Sequence, residues 1–126
     1  MKDFKDLKVW KRSHDLTLSV YKATATYLRE ELYGLTSQIR RASASIPTNI
    51  AEGCGRNTDN ELARFLEIAM GSASELEYLL RLSNDLNFLD KAKSDELDTA
   101  VIEIKKMLAS FIRNIRADRR QLNAES

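Results

Sequence analysis

Four glycines and one proline are spread through 126 residues, and between them apolar side chains recur at every third or fourth position. So little punctuation leaves long helices as the natural elements, because strands would need period-two alternation and frequent turns. The cleanest seam is Leu97, Val101, Ile104, Leu108, Phe111 and Ile115, at spacings of 4, 3, 4, 3 and 4. Near the start, Leu7, Trp10, His14, Leu18, Tyr21, Ala25 and Leu28 lay one stripe along a first helix. Val9, Leu16, Val20 and Tyr27 form a second stripe beside it. A helix of a simple bundle needs one apolar face of roughly 100°. The surplus therefore nominates Val9, Leu16, Val20 and Tyr27 as an oligomer interface, the alternative being ordinary exposed apolar residues.

Glu31-Leu-Tyr-Gly34 reads as the end of the first element, with Thr36 or Ser37 placed to cap the second. In that second helix Leu35, Ile39, Ala42, Ile46 and Ile50 keep the apolar spacing across Pro47. Proline has no N–H for the carbonyl of Ser43, so a kink or early stop is expected there, with Ser43 and Ser45 available to the loosened backbone groups. Gly53-Cys54-Gly55 ends the element, and Thr58 with Glu61 has the form of a capping box for the third. That helix carries Leu62, Phe65, Ala69, Ser72, Leu76, Leu79, Ser83 and Leu86. Small residues at its middle, Ala69, Gly71, Ser72 and Ala73, match Ala42, Ser43, Ala44 and Ser45 and predict a close crossing, with Gly71 and Ser72 as structural residues. Ser94, followed by Asp95 and Glu96, is the expected start of the fourth helix. The expected helices cover about residues 5–30, 36–53, 59–87 and 94–118, with 119–126 as a frayed tail. The fold class is all-α: one domain, an up-down-up-down antiparallel four-helix bundle with helix 2 kinked near Pro47.

Composition excludes more than it nominates. Twenty Lys and Arg against nineteen Asp and Glu leave a net charge of +1, without the general basic excess of many nucleic-acid proteins. One cysteine permits no intramolecular disulfide framework, and a lone thiol suits the cytoplasm. No run of 18 apolar residues is present, so no membrane partner is expected. A carboxylate-bridged metal core would need two Glu-x-x-His motifs, whereas the chain has one histidine, His14, on an apolar stripe. Cys54, at a helix C-terminus, lacks the electropositive setting that makes a thiolate. These points predict no catalytic residues, no cofactor, no metal and no small-molecule substrate: not an enzyme.

Polar residues of the second helix carry more information. Asn49 and Glu52 can tie the backbone around Pro47 while the arginines pair with carboxylates. Alternatively, Arg40, Arg41 and Arg56 form a phosphate-facing or subunit-facing set.

Three segments carry a family resemblance. Phe4-x-Asp6-Leu7-x-Val9-Trp10, then Glu31 through Arg56 with its Gln38-Ile-Arg-Arg41 and Ile46-Pro-Thr-Asn-Ile-Ala-Glu-Gly-Cys-Gly-Arg56, then Phe65-Leu-Glu-Ile-Ala-Met-Gly-Ser-Ala-Ser-Glu-Leu-Glu77 resemble the four-helix-bundle proteins of the 23S rRNA intervening-sequence family. The resemblance covers essentially the whole chain. It implies a bacterial, cytosolic bundle that assembles as a ring-shaped homopentamer, with self as its first partner and no established enzymatic activity. It also implies kinship with the accessory protein of diversity-generating retroelements, which binds reverse transcriptase and RNA.

In that topology residues 1–14, 50–64 and 111–126 share one pole and carry +3, −1 and +2. The pole sums to +4 and the remainder to −3, so five parallel copies would present faces of about +20 and about −15. Lys2, Lys5, Lys8, Arg116, Arg119 and Arg120 are the candidate RNA contacts on the basic face. Trp10 is expected in the core rather than as a stacking platform. The competing expectation is a protein-interaction scaffold with no nucleic-acid role.

Overall fold

The apolar spacings become four helices in the computed structural model, which describes residues 2–125: α1, Lys8–Thr24; α2, Leu35–Cys54; α3, Asp59–Asp85; and α4, Lys91–Glu125. Consecutive helices pack on one another, and α4 returns to α1, so α1 and α3 occupy diagonal corners of an up-down bundle. The core is formed by Ile39, Ile46 and Ile50 of α2, Leu66, Leu76 and Leu80 of α3, and Leu97, Ile104 and Leu108 of α4.

Helix α1 inverts the expected assignment of its two stripes. Val9, Leu16 and Val20 are buried, Val20 to 0% exposure, inside the chain's own core. Leu18, Tyr21 and Leu28, expected inside, are 51%, 45% and 50% exposed. The buried stripe is completed by Ser13 and Thr24, whose hydroxyls donate to the carbonyls of Trp10 (2.9 Å) and Val20 (2.8 Å). Hydroxyls satisfied on their own helix enter a core at little cost, so a stripe interrupted by Ser and Thr can still be the core face. Val9, Leu16 and Val20 are therefore not an interface, and Tyr27 is half-buried against Phe88 at 5.6 Å between ring centroids.

Helix α2 runs unbroken through Pro47. The Ser43 carbonyl that Pro47 cannot reach accepts instead from Thr17 Oγ1 of α1 at 3.0 Å, a proton that Thr17 shares with the Ser13 carbonyl at 2.9 Å. The neighbouring helix, rather than Ser43 or Ser45, repairs the gap. Asn49 Nδ2 binds the carbonyl and hydroxyl of Ser45 at 2.8 and 2.9 Å, as expected of a residue that ties this turn. The exposed Glu52 contributes its backbone carbonyl, which accepts from Gly55 N at 3.1 Å.

The α2–α3 crossing is close where small residues meet. Ala42, Ala69 and Ala73 are buried, and the Ser45 and Ser72 hydroxyls hydrogen-bond at 2.8 Å. Gly71 does not belong to this contact: it is exposed, and a Cβ there would meet nothing within 4 Å. Gly53 is the glycine the packing requires, because a Cβ would lie 2.9 Å from Phe65 Cβ and 3.0 Å from Leu62 Cδ1.

The helix ends also differ from the sequence reading. α1 stops at Thr24, and Arg29–Glu31 forms a separate 3-10 turn. α2 begins after Gly34 with no side-chain cap, leaving Thr36 in its first turn rather than at the cap. Thr58 does cap α3, accepting from Glu61 N at 3.2 Å. Asn87, at φ 65°, closes α3 with Phe88 N bonded to Ser83 O (2.9 Å) and Asn87 N to Asn84 O (3.0 Å), a Schellman arrangement. Asp90, not Ser94, starts α4: its carboxylate accepts from Lys93 N at 2.8 Å. Helix α4 then continues through the expected frayed tail to Glu125, while Ser126 lies outside the described residues. With 35 residues against 27 in α3, α4 overhangs the start of α3 by about 12 Å.

Candidate nucleic-acid interface

The pole at which α1 and α3 begin and α2 and α4 end is held together by the chain's own N-terminal segment. Lys2 N donates to the Cys54 carbonyl at 3.2 Å, placing Lys2 on the last turn of α2. Asp3 Oδ1 caps the 3-10 turn Phe4–Asp6 by accepting from Lys5 N at 3.0 Å. Lys8, at the start of α1, lines a groove of about 490 Å³ with Asn114 and Phe111 of α4 opposite. Lys2, Lys5, Lys8 and the end of α4 thus share one end of the bundle, as the topology requires.

The six candidate contacts are not equivalent. Lys2, Lys5, Lys8 and Arg120 are exposed, with no ion-pair partner among the described residues. Arg116 is ion-paired with Glu67 of α3, so an RNA phosphate would have to compete for it. Both partners are about half exposed, and such a pair contributes at most about 1 kcal/mol, so the competition is not costly. Arg119 is half-buried. Sequence reasoning missed Glu67 and Glu103, which neutralise Arg116 and Arg12 across helix pairs; no sequence spacing signals partners 49 and 91 residues away. It also missed Arg113, an exposed cation on the same stretch of α4.

Trp10 is no open stacking surface. His14 covers it at 5.0 Å between nearly parallel rings, and Phe4 packs edge-on at 4.9 Å. Cys54 is buried beneath the pole; burial pushes its thiol up from the ordinary value, and the nearby Lys2 charge only partly offsets this. The thiol is therefore protonated and unreactive at neutral pH.

Arg40, Arg41 and Arg56 do not form one set. Arg40 Nε donates to Thr24 Oγ1 at 2.9 Å and its Nη2 to the Tyr21 carbonyl at 3.3 Å, with the guanidinium 4.7 Å from the Tyr21 ring centre. Arg41 is exposed beside it. Arg56 stacks on Phe65 at 4.7 Å, 16 residues on and about 24 Å away along α2. Arg56 belongs to the basic pole and the other two to its opposite.

Among the described residues, no group of three or more His, Cys, Asp or Glu could hold a metal ion, and no helix is long and apolar enough to cross a membrane. A sequence model of the family described as "23S rRNA-intervening sequence protein" matches residues 5–110. The fold is similar to the crystal structure of a protein of unknown function from the S23 ribosomal protein family of Bacteroides thetaiotaomicron VPI-5482. The TM-score is 0.75 at 25% identity, over 82% of this chain and 97% of that one. No curated protein sequence matches the chain.

Proposed function

Since the chain belongs to the 23S rRNA-intervening sequence protein family, we propose that it acts in the cytoplasm without catalysis, as a ring-forming homo-oligomer that binds RNA or an RNA–protein complex through its basic pole. The observation that carries this reading is the hydrogen bond from Lys2 N to the Cys54 carbonyl, which gathers Lys2, Lys5 and Lys8 at the pole where α4 projects Arg113 and Arg120. A homopentameric ring with parallel axes repeats that pole five times and turns a weak patch into a strong field. The chain as a whole is nearly neutral, so the contact is confined to one face; this fits an RNA clamp better than the strongly basic retroelement accessory proteins.

A ring needs two different complementary patches on each copy. Leu18 and Tyr21 on α1 and Ile68 and Tyr78 on α3 are exposed apolar residues on diagonal helices, and they replace Val9, Leu16 and Val20 as the interface in this reading. A protein-interaction scaffold with no RNA role is the second reading. It is favoured by the largely apolar groove of Leu7, Val9, Met107 and Phe111 between α1 and α4.

Charge reversal separates the two. Arg119→Glu with Arg120→Glu is expected to weaken binding to structured RNA and to flatten its dependence on salt, because fewer counterions are released. RNA binding unchanged in affinity and salt slope would refute the basic-pole reading.

A further inference from the structure

Thr36, in the first turn of α2, is 3% exposed, yet its Oγ1 has no hydrogen-bond partner among the described residues. An orphaned buried hydroxyl costs about 1–3 kcal/mol, so its persistence calls for an explanation. It stands at a helix start that has no side-chain cap, where unpaired amides leave a partial positive charge. Tyr27 supplies a second orphan: its hydroxyl has no partner of hydrogen-bonding geometry, and the adjacent Ser83 hydroxyl is committed to the Leu79 carbonyl at 3.0 Å. Burial pushes the Tyr27 phenol up from its ordinary value, so it remains a proton donor at neutral pH.

Both hydroxyls border one crevice of about 380 Å³ beneath the α1–α2 connection, together with Thr24, Arg29, Leu32 and Arg40. Arg40 is held rigidly by Thr24, by the Tyr21 carbonyl and by the Tyr21 ring, contacts that engage Nε and Nη2 and leave other guanidinium N–H groups to donate. Arg29 is exposed at the rim. Among the described residues no carboxylate lines the crevice, in contrast to the neighbouring one at the α3–α4 joint with Asp85, Asp95 and Asp98. A trapped water would satisfy the hydroxyls but gives no reason for two guanidinium groups at a site without a counter-charge.

We propose that this crevice binds a phosphate-class oxyanion, either free phosphate or the terminal phosphate of a nucleotide, between Arg29 and Arg40 with the Thr36 and Tyr27 hydroxyls donating. It lies at the pole opposite the RNA-binding reading and stands independently of it.

Isothermal titration with inorganic phosphate, against sodium chloride at matched ionic strength, tests the site. Saturable binding at one site per chain is expected. Arg29→Gln, which removes an exposed side chain with no ion pair among the described residues, should weaken it about tenfold. Thr36→Val should also weaken it while leaving the melting temperature of the phosphate-free protein unchanged or higher, since an orphan hydroxyl has gone. Adenosine monophosphate that competes with phosphate assigns the site to a nucleotide; failure to compete assigns it to the free ion. No saturable phosphate binding, or equal affinity in wild type and Arg29→Gln, would overturn the proposal.

Discussion

Replacing Thr17 by valine keeps the shape of the side chain and removes one hydroxyl, which makes it a sharp probe of how α2 tolerates Pro47. That hydroxyl lies 3.0 Å from the Ser43 carbonyl, whose residue is 0% exposed and whose usual donor, the N–H at position 47, does not exist. The variant loses a hydrogen bond of about 1 kcal/mol net and leaves a buried carbonyl unsatisfied, for a total of about 2 kcal/mol. With unfolding entropy of about 2.1 cal/mol/K per residue, that shifts the melting temperature of this chain down by roughly 7 °C. Thermal or urea unfolding followed by circular dichroism measures it. The decisive step is a double-mutant cycle with Pro47→Ala, which restores an N–H to the Ser43 carbonyl and makes Thr17 redundant. Thr17→Val should then cost only about 0.5 kcal/mol, a coupling of about 1.5 kcal/mol. Equal costs in the two backgrounds would refute the account, whatever Pro47→Ala does on its own through lost packing.

Three further outcomes follow from the same structure. Leu18→Glu or Tyr21→Glu should lower the oligomer mass in light scattering with the helical signal intact, whereas Val20→Glu should unfold the chain; an intact, dissociated Val20→Glu protein would restore the interface to the buried stripe. Gly71→Ala should stabilise by up to about 1 kcal/mol because the helix gains a better former in open space, while Gly53→Ala should destabilise through contact with Phe65 and Leu62; unfolding curves that rank them the other way would contradict the α2–α3 geometry. Cys54 and Tyr27 both have their acid pKa raised by burial, so the folded chain holds these protons longer than the unfolded one. Stability should be level below about pH 9 and fall as pH rises further, and the fall should be shallower in Cys54→Ala/Tyr27→Phe; an identical alkaline slope in that variant would count against it.

Most of the bundle was legible as pattern. The seams of α2 and α4 were read correctly because their core positions are aliphatic: Ile39, Ala42, Ile46 and Ile50, and Leu97, Val101, Ile104 and Leu108, are all buried. α1 was misread for the opposite reason. Its true core face contains Ser13 and Thr24, which look polar in a sequence but have their hydroxyls satisfied by their own helix, while the more apolar stripe through Leu18 and Tyr21 faces outward. The candidate site was legible as composition and topology, which placed Lys2, Lys5 and Lys8 with the end of α4, but not as availability. Whether an arginine is engaged depends on a partner such as Glu67, whose distance along the chain leaves no local trace.

By itself, then, the sequence determined the number of helices, their order and, through the short joints, their alternating direction, because hydrophobic period and capping chemistry are local properties. Tertiary structure decided which face of α1 is buried, which glycine is needed, how the Ser43 carbonyl is satisfied and which cations are tied down. Each of these depends on a side chain delivered by another helix, and only packing sets which residues meet.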